Sequence, residues 1–199
     1  MEGFLERLAR IQQCVNGDGA RNLRSILTTC REMLCDRGYE TIVEHRLEDD
    51  ERGLALTGER SSDGGQLRVY VCMEDRVGVK FARSVLDAAV EAPSVSTIIV
   101  SIDGPTPFTR KECSAVQFFM AIDLCRNVTR HCLVPRHTRI DTAELPAGMT
   151  TERLPRLLET DRVVQYHAWP CGTVVKIKRV FGGYEPIDYF RVVVPAGGV

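Results

Sequence analysis

The sequence lacks any apolar run of about 18 residues, the length that a helix needs to cross a bilayer, and it lacks an apolar amino-terminal signal segment. Its eight cysteines never occur as a pair with the two-residue spacing of a zinc knuckle. His131, Cys132 and His137 form the densest group of metal-binding residue types, but alternating side chains on one short segment cannot all face one ion. We therefore expect reduced, intracellular thiols, with no membrane segment, metal or other cofactor.

Motifs of covalent and nucleotide-dependent catalysis are also missing. The chain has no Gly-x-Ser-x-Gly elbow, no phosphate-binding loop of the Gly-Lys-Ser type and no dinucleotide fingerprint. A cysteine nucleophile stays open in principle, because His131 or His167 could approach a thiol in the folded chain. No feature of the sequence selects one cysteine for that role.

Lysine is scarce, and the four lysines bear on the hypothesis of a metal-dependent nuclease. Such sites hold a divalent cation with acidic residues and usually place a lysine two residues after one of them. No lysine of this chain follows an acid at that spacing. We therefore interpret Glu74 and Asp75, which follow a predicted strand, as part of a solvated turn.

Charge of neither sign is in excess, since 26 basic residues stand against 27 acidic ones. Residues 1–150 carry 19 basic and 22 acidic residues, whereas residues 151–199 carry seven and five. The larger part of the chain thus does not attract phosphate at long range, and any contact with DNA has to be local.

What the sequence does contain, in its first two thirds, is an alternation of helical and strand patterns. Leu67, Val69 and Val71 alternate with polar or larger residues, and an unbroken apolar run follows at 96–102, as in a strand covered on both faces. A strand, a helix and a buried strand in succession predict a mixed or parallel sheet with flanking helices. The predicted helices lie near residues 4–15, 21–37, 81–90 and 109–122, and the predicted strands at 41–48, 66–72, 96–102 and 124–128.

The loop at 103–107 leaves the carboxyl end of the predicted buried strand, the usual position of ligand contacts in such sheets. Two prolines stiffen it. Arg110 and Lys111 follow directly and are the better candidates for phosphate contact than the KIKR segment at 176–179, whose alternation indicates a solvated or partner-facing strand.

The last third of the chain has the pattern of a compact helix and hairpin. Asp161 stands where a helix N-cap is expected, and an apolar stripe continues to Tyr166 before Trp169-Pro170 ends the helix. Gly172 then begins a strand with Thr173, Val175 and Ile177 on one face, and residues 189–194 offer a partner strand.

These segments resemble a known family. LPRLLETD followed by a tyrosine, GTVVKIKR and YFRVV resemble the carboxy-terminal module of the fifth-largest common subunit of eukaryotic nuclear RNA polymerases, which is similar to the H subunit of archaeal polymerases. NVTRHCLVPRH at 127–137 resembles the start of that module, and REMLCDRGYE, VGVK and Thr106-Pro107 resemble landmarks of the family's amino-terminal domain. The segment at 1–16 departs from the single opening helix of the family.

The resemblance implies a noncatalytic subunit that works in the nucleus, with an amino-terminal jaw domain at 1–130 and, at 131–199, an assembly domain like the archaeal H subunit. Its partners would be the largest polymerase subunit, other polymerase subunits and downstream double-stranded DNA, with no small-molecule substrate. The residues implied for DNA binding are Thr106, Pro107, Arg110 and Lys111. Those implied to shape or form the docking surface are Leu154, Pro155, Asp161, Tyr166, Gly172, Val175, Ile177 and Arg191.

The expected fold class is α/β (α+β): an amino-terminal mixed sheet flanked by helices, with nuclease-like topology by resemblance, and a small α+β carboxy-terminal assembly module. That topology keeps one alternative open, a metal-dependent nuclease-like enzyme. A second alternative is a free-standing scaffold protein that uses the same fold.

Overall fold

The structure, a computed structural model, describes residues 1–11, 18–50, 52–90, 95–180, 182 and 185–197. Cys14, Pro93 and residues 181, 183 and 184, which are part of the predicted hairpin connection at 181–188, lie outside the described residues. The chain divides into two compact units, Met1–Arg126 and Asn127–Val199. No helix of the described segments is long and apolar enough to span a membrane.

The first unit opens with two packed helices, α1 (Glu2–Ile11) and α2 (Gly19–Asp36), close to their predicted positions. Asp18 caps α2, because its Oδ1 accepts hydrogen bonds from the backbone N–H groups of the first turn. A Cβ on Gly19 would lie 1.8 Å from the Leu5 carbonyl oxygen, so glycine is what lets α1 approach the start of α2.

A five-stranded mixed sheet follows, and it confirms the predicted fold class. Its strands are β1 (Thr41–Glu44), β2 (Leu54–Glu59), β3 (Gln66–Val71), β4 (Val95–Ser101) and β5 (Val116–Met120), ordered β1-β2-β3-β4-β5. The β1–β2 and β2–β3 pairs are antiparallel, and the β3–β4 and β4–β5 pairs are parallel. The connecting helices are α3 (Val79–Val90), α4 (Pro107–Glu112) and α5 (Ala121–Leu124).

Helices cover both faces of this sheet. Tyr70, Ile99 and Val85 belong to one fully buried cluster, which places α3 against the face that carries Tyr70. On the opposite face, a Cβ on Gly58 would lie 2.8 Å from the Leu34 side chain of α2. Strand β4 is buried from Thr97 to Ser101, as its unbroken apolar run predicted.

Three predictions for this unit were wrong. No strand was predicted between residues 48 and 66, yet residues 54–59 form β2, in which Gly58 leaves room for the Leu34 side chain of α2. The helix predicted at 109–122 ends at Glu112, and residues 116–120 form β5 instead. A short apolar run such as VQFFM fits a helix or a strand equally well, and its parallel pairing with β4 decides the outcome. The strand predicted at 124–128 is also absent, since α5 ends there and a single 3₁₀ turn follows.

The second unit is built on a four-stranded sheet. Its strands are β6 (Arg136–Ile140), β7 (Arg156–Leu158), β8 (Val174–Arg179) and β9 (Ile187–Val194), ordered β6-β8-β9-β7. The β8–β9 hairpin was predicted, and the expectation of only two strands was wrong. Strand β6 pairs antiparallel with β8, and β7 pairs parallel with β9. The sequence pattern alone does not reveal them, because β6 is almost entirely polar and β7 has only three residues.

Helix α6 (Arg162–His167) packs on one face of that sheet. Asp161 caps it by accepting hydrogen bonds from the backbone N–H of Val163 at 2.9 Å and of Val164 at 3.4 Å. The helix ends at Ala168, which adopts a left-handed conformation with φ of 53°. The core beneath it consists of Leu157, Val164, Val175, Ile177 and Val193, with Trp169 at the edge.

We expect Ile177→Asp to unfold the second unit rather than to act only on a surface, because the Ile177 side chain is 3% exposed in that core. An unpaired charge there should lower the free energy of unfolding by more than about 3 kcal/mol. Thr138→Asp places the same charge at an exposed position of the neighbouring strand and should change stability by less than about 0.5 kcal/mol. Thermal unfolding measures both, and equal melting temperatures for the two variants would contradict the assignment.

Candidate functional site

The loop predicted to contact ligands is held by backbone hydrogen bonds to the loop that follows β3. The Val77 N–H donates to the Gly104 carbonyl at 3.1 Å, and the Thr106 N–H donates to the Val77 carbonyl at 3.3 Å. The Asp103 N–H donates to the Asp75 carbonyl at 2.7 Å. The two loops lie side by side because β3 and β4 are parallel neighbours, so their carboxyl ends meet at one edge of the sheet.

Thr106 serves as the N-cap of α4, because its Oγ1 accepts from the Thr109 N–H at 3.2 Å. The hydroxyl groups of Thr106 and the buried Thr109 lie 2.8 Å apart, and the Thr109 hydroxyl also lies 3.1 Å from the Val77 carbonyl. The Thr106 hydroxyl thus takes part in the hydrogen bonds that orient α4.

Arg110 and Lys111 lie in the last turn of α4, and both side chains are exposed. Among the described residues neither has an ion-pair partner, since the nearby Glu112 carboxylate pairs with Arg83 at 3.2 Å. Phe108 is 61% exposed on the same short helix. The exposed side chains of Arg110, Lys111 and Phe108 therefore lie together on the short helix at this edge of the sheet.

Helix α1 braces the same edge. The Arg7 guanidinium donates to the Met73 carbonyl at 2.7 Å and pairs with the Asp75 carboxylate at 2.8 Å. Asp75 therefore already faces a cation from α1. Within the described ranges, no group of three or more His, Cys, Asp or Glu side chains is placed to hold a metal ion.

The cysteines and histidines are engaged in local structure. Burial raises the pKa of the Cys30 thiol to about 12, and burial likewise raises the pKa of the Cys72 thiol. The Nδ1 atom of His131 accepts from the Leu133 N–H at 3.2 Å, and the His167 ring stacks on Trp169 with centroids 4.5 Å apart. Their raised pKa values keep the Cys30 and Cys72 thiols in the protonated, unreactive form at neutral pH.

The residues implied for docking mainly build the second unit. Leu154, Tyr166, Val175 and Ile177 are buried in it. Three others stabilise the fold through hydrogen bonds or backbone conformation. Asp161 caps α6, Arg191 donates to the Arg156 carbonyl of β7 at 3.0 Å, and Gly172 turns the chain with φ of 88°. Only Pro155 and Gly172 of this set are exposed.

Exposed apolar side chains that sequence reasoning did not select lie on the edge and hairpin strands of this unit. Leu158 is 50% exposed on β7, and Ile187 and Tyr189 are 48% and 41% exposed on β9. Leu158 could have been found from the sequence, because successive side chains of a strand point to opposite faces, so only one of Leu157 and Leu158 can face the core. The predicted alternation of the KIKR segment is confirmed, with Ile177 inward and Lys176 paired with Asp188 at 2.7 Å.

Comparison with known proteins gives one consistent result. Residues 126–193 match the family model described as RNA polymerase Rpb5, C-terminal domain. Among curated proteins, the chain is 27% identical to the DNA-directed RNA polymerases I, II, and III subunit RPABC1 of Caenorhabditis briggsae, over 77% of this chain and 87% of that subunit. The same-named subunit of Caenorhabditis elegans is 28% identical, over 62% of this chain and 64% of the relative. The same-named subunit of Dictyostelium discoideum is 30% identical, over 56% of this chain and 64% of the relative.

The second unit therefore coincides with the region that matches the Rpb5 C-terminal domain. Over most of its length, the chain is similar at modest identity to RPABC1 subunits of RNA polymerases I, II and III. The relatives are polymerase subunits, and none of them supports the nuclease alternative.

The burial of the thiols leads to a prediction for alkylation. At pH 8, iodoacetamide should modify the exposed Cys35, Cys132 and Cys171 much faster than Cys30, whose raised pKa keeps it a thiol until far more alkaline pH. Mass spectrometry of peptides from the native protein measures the order. Rapid native labelling of Cys30 would contradict the structure, and urea-unfolded protein, in which all of these thiols should react, serves as the control.

Proposed function

We propose that this chain is a noncatalytic structural subunit of a DNA-dependent RNA polymerase. The observation that carries the proposal is the match of residues 126–193 to the Rpb5 C-terminal domain, supported by homology that extends over the first unit. The folded second unit agrees with it, because the residues behind the resemblance are those that hold its sheet and helix together. Other polymerase subunits are then its partners, and the nucleus is its place of work.

The second unit, in this proposal, docks on the largest polymerase subunit. Exposed apolar side chains are what a permanent interface would bury, and the unit presents Leu158, Ile187 and Tyr189 in addition to Pro155. The buried residues Val175, Ile177 and Tyr166 act on docking indirectly, by holding the strands that carry the exposed ones. Catalysis would reside in the partner subunits.

The first unit, in the same proposal, contributes to the downstream-DNA jaw. The support is local: Pro107, Arg110 and Lys111 stand at one loop-bearing edge of the sheet, and the two cations have no acidic partner within the described part of the chain. Backbone phosphates are the matching ligand, because such contacts position a duplex without reading its sequence. Thr106 contributes by capping the helix that presents them.

For docking, we expect Pro155→Glu to weaken association with polymerase about tenfold, since a charge placed in a desolvated interface costs on the order of 1–3 kcal/mol. Pro146→Glu makes the same change at an exposed proline outside the implied docking set. Affinity purification of a tagged chain, with mass spectrometry of the partners and their stoichiometry, measures both. Equal recovery of polymerase with the two variants would reject Pro155 as an interface residue.

The same purification tests the proposed function itself. Recovery of the wild-type chain without any polymerase subunit would refute it and would favour the free-standing scaffold. Elution in gel filtration apart from polymerase activity would lead to the same conclusion.

For DNA, we expect Arg110→Ala combined with Lys111→Ala to weaken the DNA binding of the assembled polymerase and to reduce the salt dependence by up to about two charges. Arg21→Ala combined with Arg24→Ala removes two exposed cations of α2 instead and should leave the slope unchanged. Fluorescence titrations of a downstream duplex at several salt concentrations give both slopes. If the α4 variant has the wild-type slope, these cations do not touch DNA.

A further inference from the structure

A basic groove lies on the second unit, where the start of β6 faces the end of β8. It encloses about 550 Å³, a volume within the range of ligand-binding clefts. It is lined by Cys132, Leu133, Val134, Pro135, Arg136, Lys178, Arg179 and Val180. Three of these side chains are cationic and none is acidic. From the sequence pattern alone, the KIKR part of this lining was expected to be only a solvated or partner-facing strand.

Two of the cations face each other directly across the sheet. Arg136 of β6 is the register partner of Lys178 of β8 in the antiparallel pair. Side chains in this relation lie close together, and like charges directly opposite destabilise a sheet. The groove therefore contains an arrangement that weakens the free protein and that an anionic ligand would relieve.

The neighbouring charges do not neutralise this pair. Asp188 is the partner of Lys178 on the other side, in β9, but its carboxylate binds Lys176 at 2.7 Å. The third cation, Arg179, lies over the Tyr189 ring with its guanidinium carbon 5.4 Å from the centroid. No ion pair of the described residues includes Arg136 or Lys178.

Apolar side chains flank the cations. Leu133 is 83% exposed and Val180 is 71% exposed, the two highest values among the large hydrophobic residues of the described chain. Strand β6 is at the edge of the sheet, so the groove is open along that side. A ligand complementary to this groove therefore has both negative charge and apolar surface.

We propose that the basic groove binds an acidic segment of a partner protein in which carboxylate side chains alternate with aliphatic ones. The carboxylates would pair with Arg136, Lys178 and Arg179, and an aliphatic side chain would cover Leu133 and Val180. Arginine-rich recognition of acidic motifs is a recurrent mode of peptide binding. Nucleic acid fits less well, because single strands bind on aromatic side chains and none of the groove residues is aromatic.

The test uses the full chain and a fluorescently labelled peptide of alternating glutamate and leucine, read by anisotropy. Arg136→Glu should weaken binding at least tenfold, whereas Arg139→Glu, the same charge reversal on the opposite face of β6, should weaken it less than threefold. Leu133→Ser should also weaken it. Arg136→Glu should not lower the melting temperature, because it turns a repulsive pair with Lys178 into an attractive one.

Three results would overturn the proposal. The first is equal loss in the Arg136→Glu and Arg139→Glu variants, which would indicate general charge attraction. The second is wild-type affinity of Leu133→Ser, which would reduce the site to an anion contact. The third is tighter binding of labelled single-stranded DNA than of the peptide, with the same dependence on Arg136. The assay needs no polymerase, so its outcome is independent of the docking proposed above.

Discussion

Val77 is the residue on which the candidate DNA-facing edge depends. Its N–H and carbonyl bind the loop after β4 at two points, and the same carbonyl also accepts the Thr109 hydroxyl. Its side chain is fully buried under α3. This single position therefore joins the loop after β3, the loop after β4 and the start of α4. The direction in which Arg110 and Lys111 project follows from these bonds, and not from the flexibility of an exposed turn.

In the second unit, the residues that identify the fold and the residues that can touch a partner are largely different ones. Family resemblance comes from Leu157, Tyr166, Val175 and Ile177, and these side chains are packed inside. A core selects strongly for shape and apolar character, so it carries recognisable patterns. The exposed apolar side chains of the same unit, such as Leu158 and Tyr189, are different residues. A motif that reveals membership in a family is thus a poor guide to the surface that binds.

Patterns with a strong local cause were predicted well. The Asp161 cap and the buried run of β4 depend on neighbouring residues or on uniform burial, and both are present. Failures occurred where distant pairing decides. Strand β5 forms because it pairs in parallel with β4. Strands β6 and β7 form because they pair with the two edges of the β8–β9 hairpin, antiparallel with β8 and parallel with β9. Strand β2 was missed because Gly58 interrupts its apolar pattern. A glycine is needed there only because α2 packs closely against the strand, and the local sequence does not show that contact.

Taken alone, the sequence determined the α+β fold class, because caps, turns and apolar periodicity are local properties of the chain, and its last third showed a resemblance to a polymerase-subunit module. The tertiary structure decided which charged and polar side chains have a partner within the protein. Asp75 pairs with Arg7, Thr106 Oγ1 caps α4, and Arg136 lies opposite Lys178. Each of these outcomes depends on distances that the local sequence pattern does not set. Such distances are fixed only when the sheets are assembled.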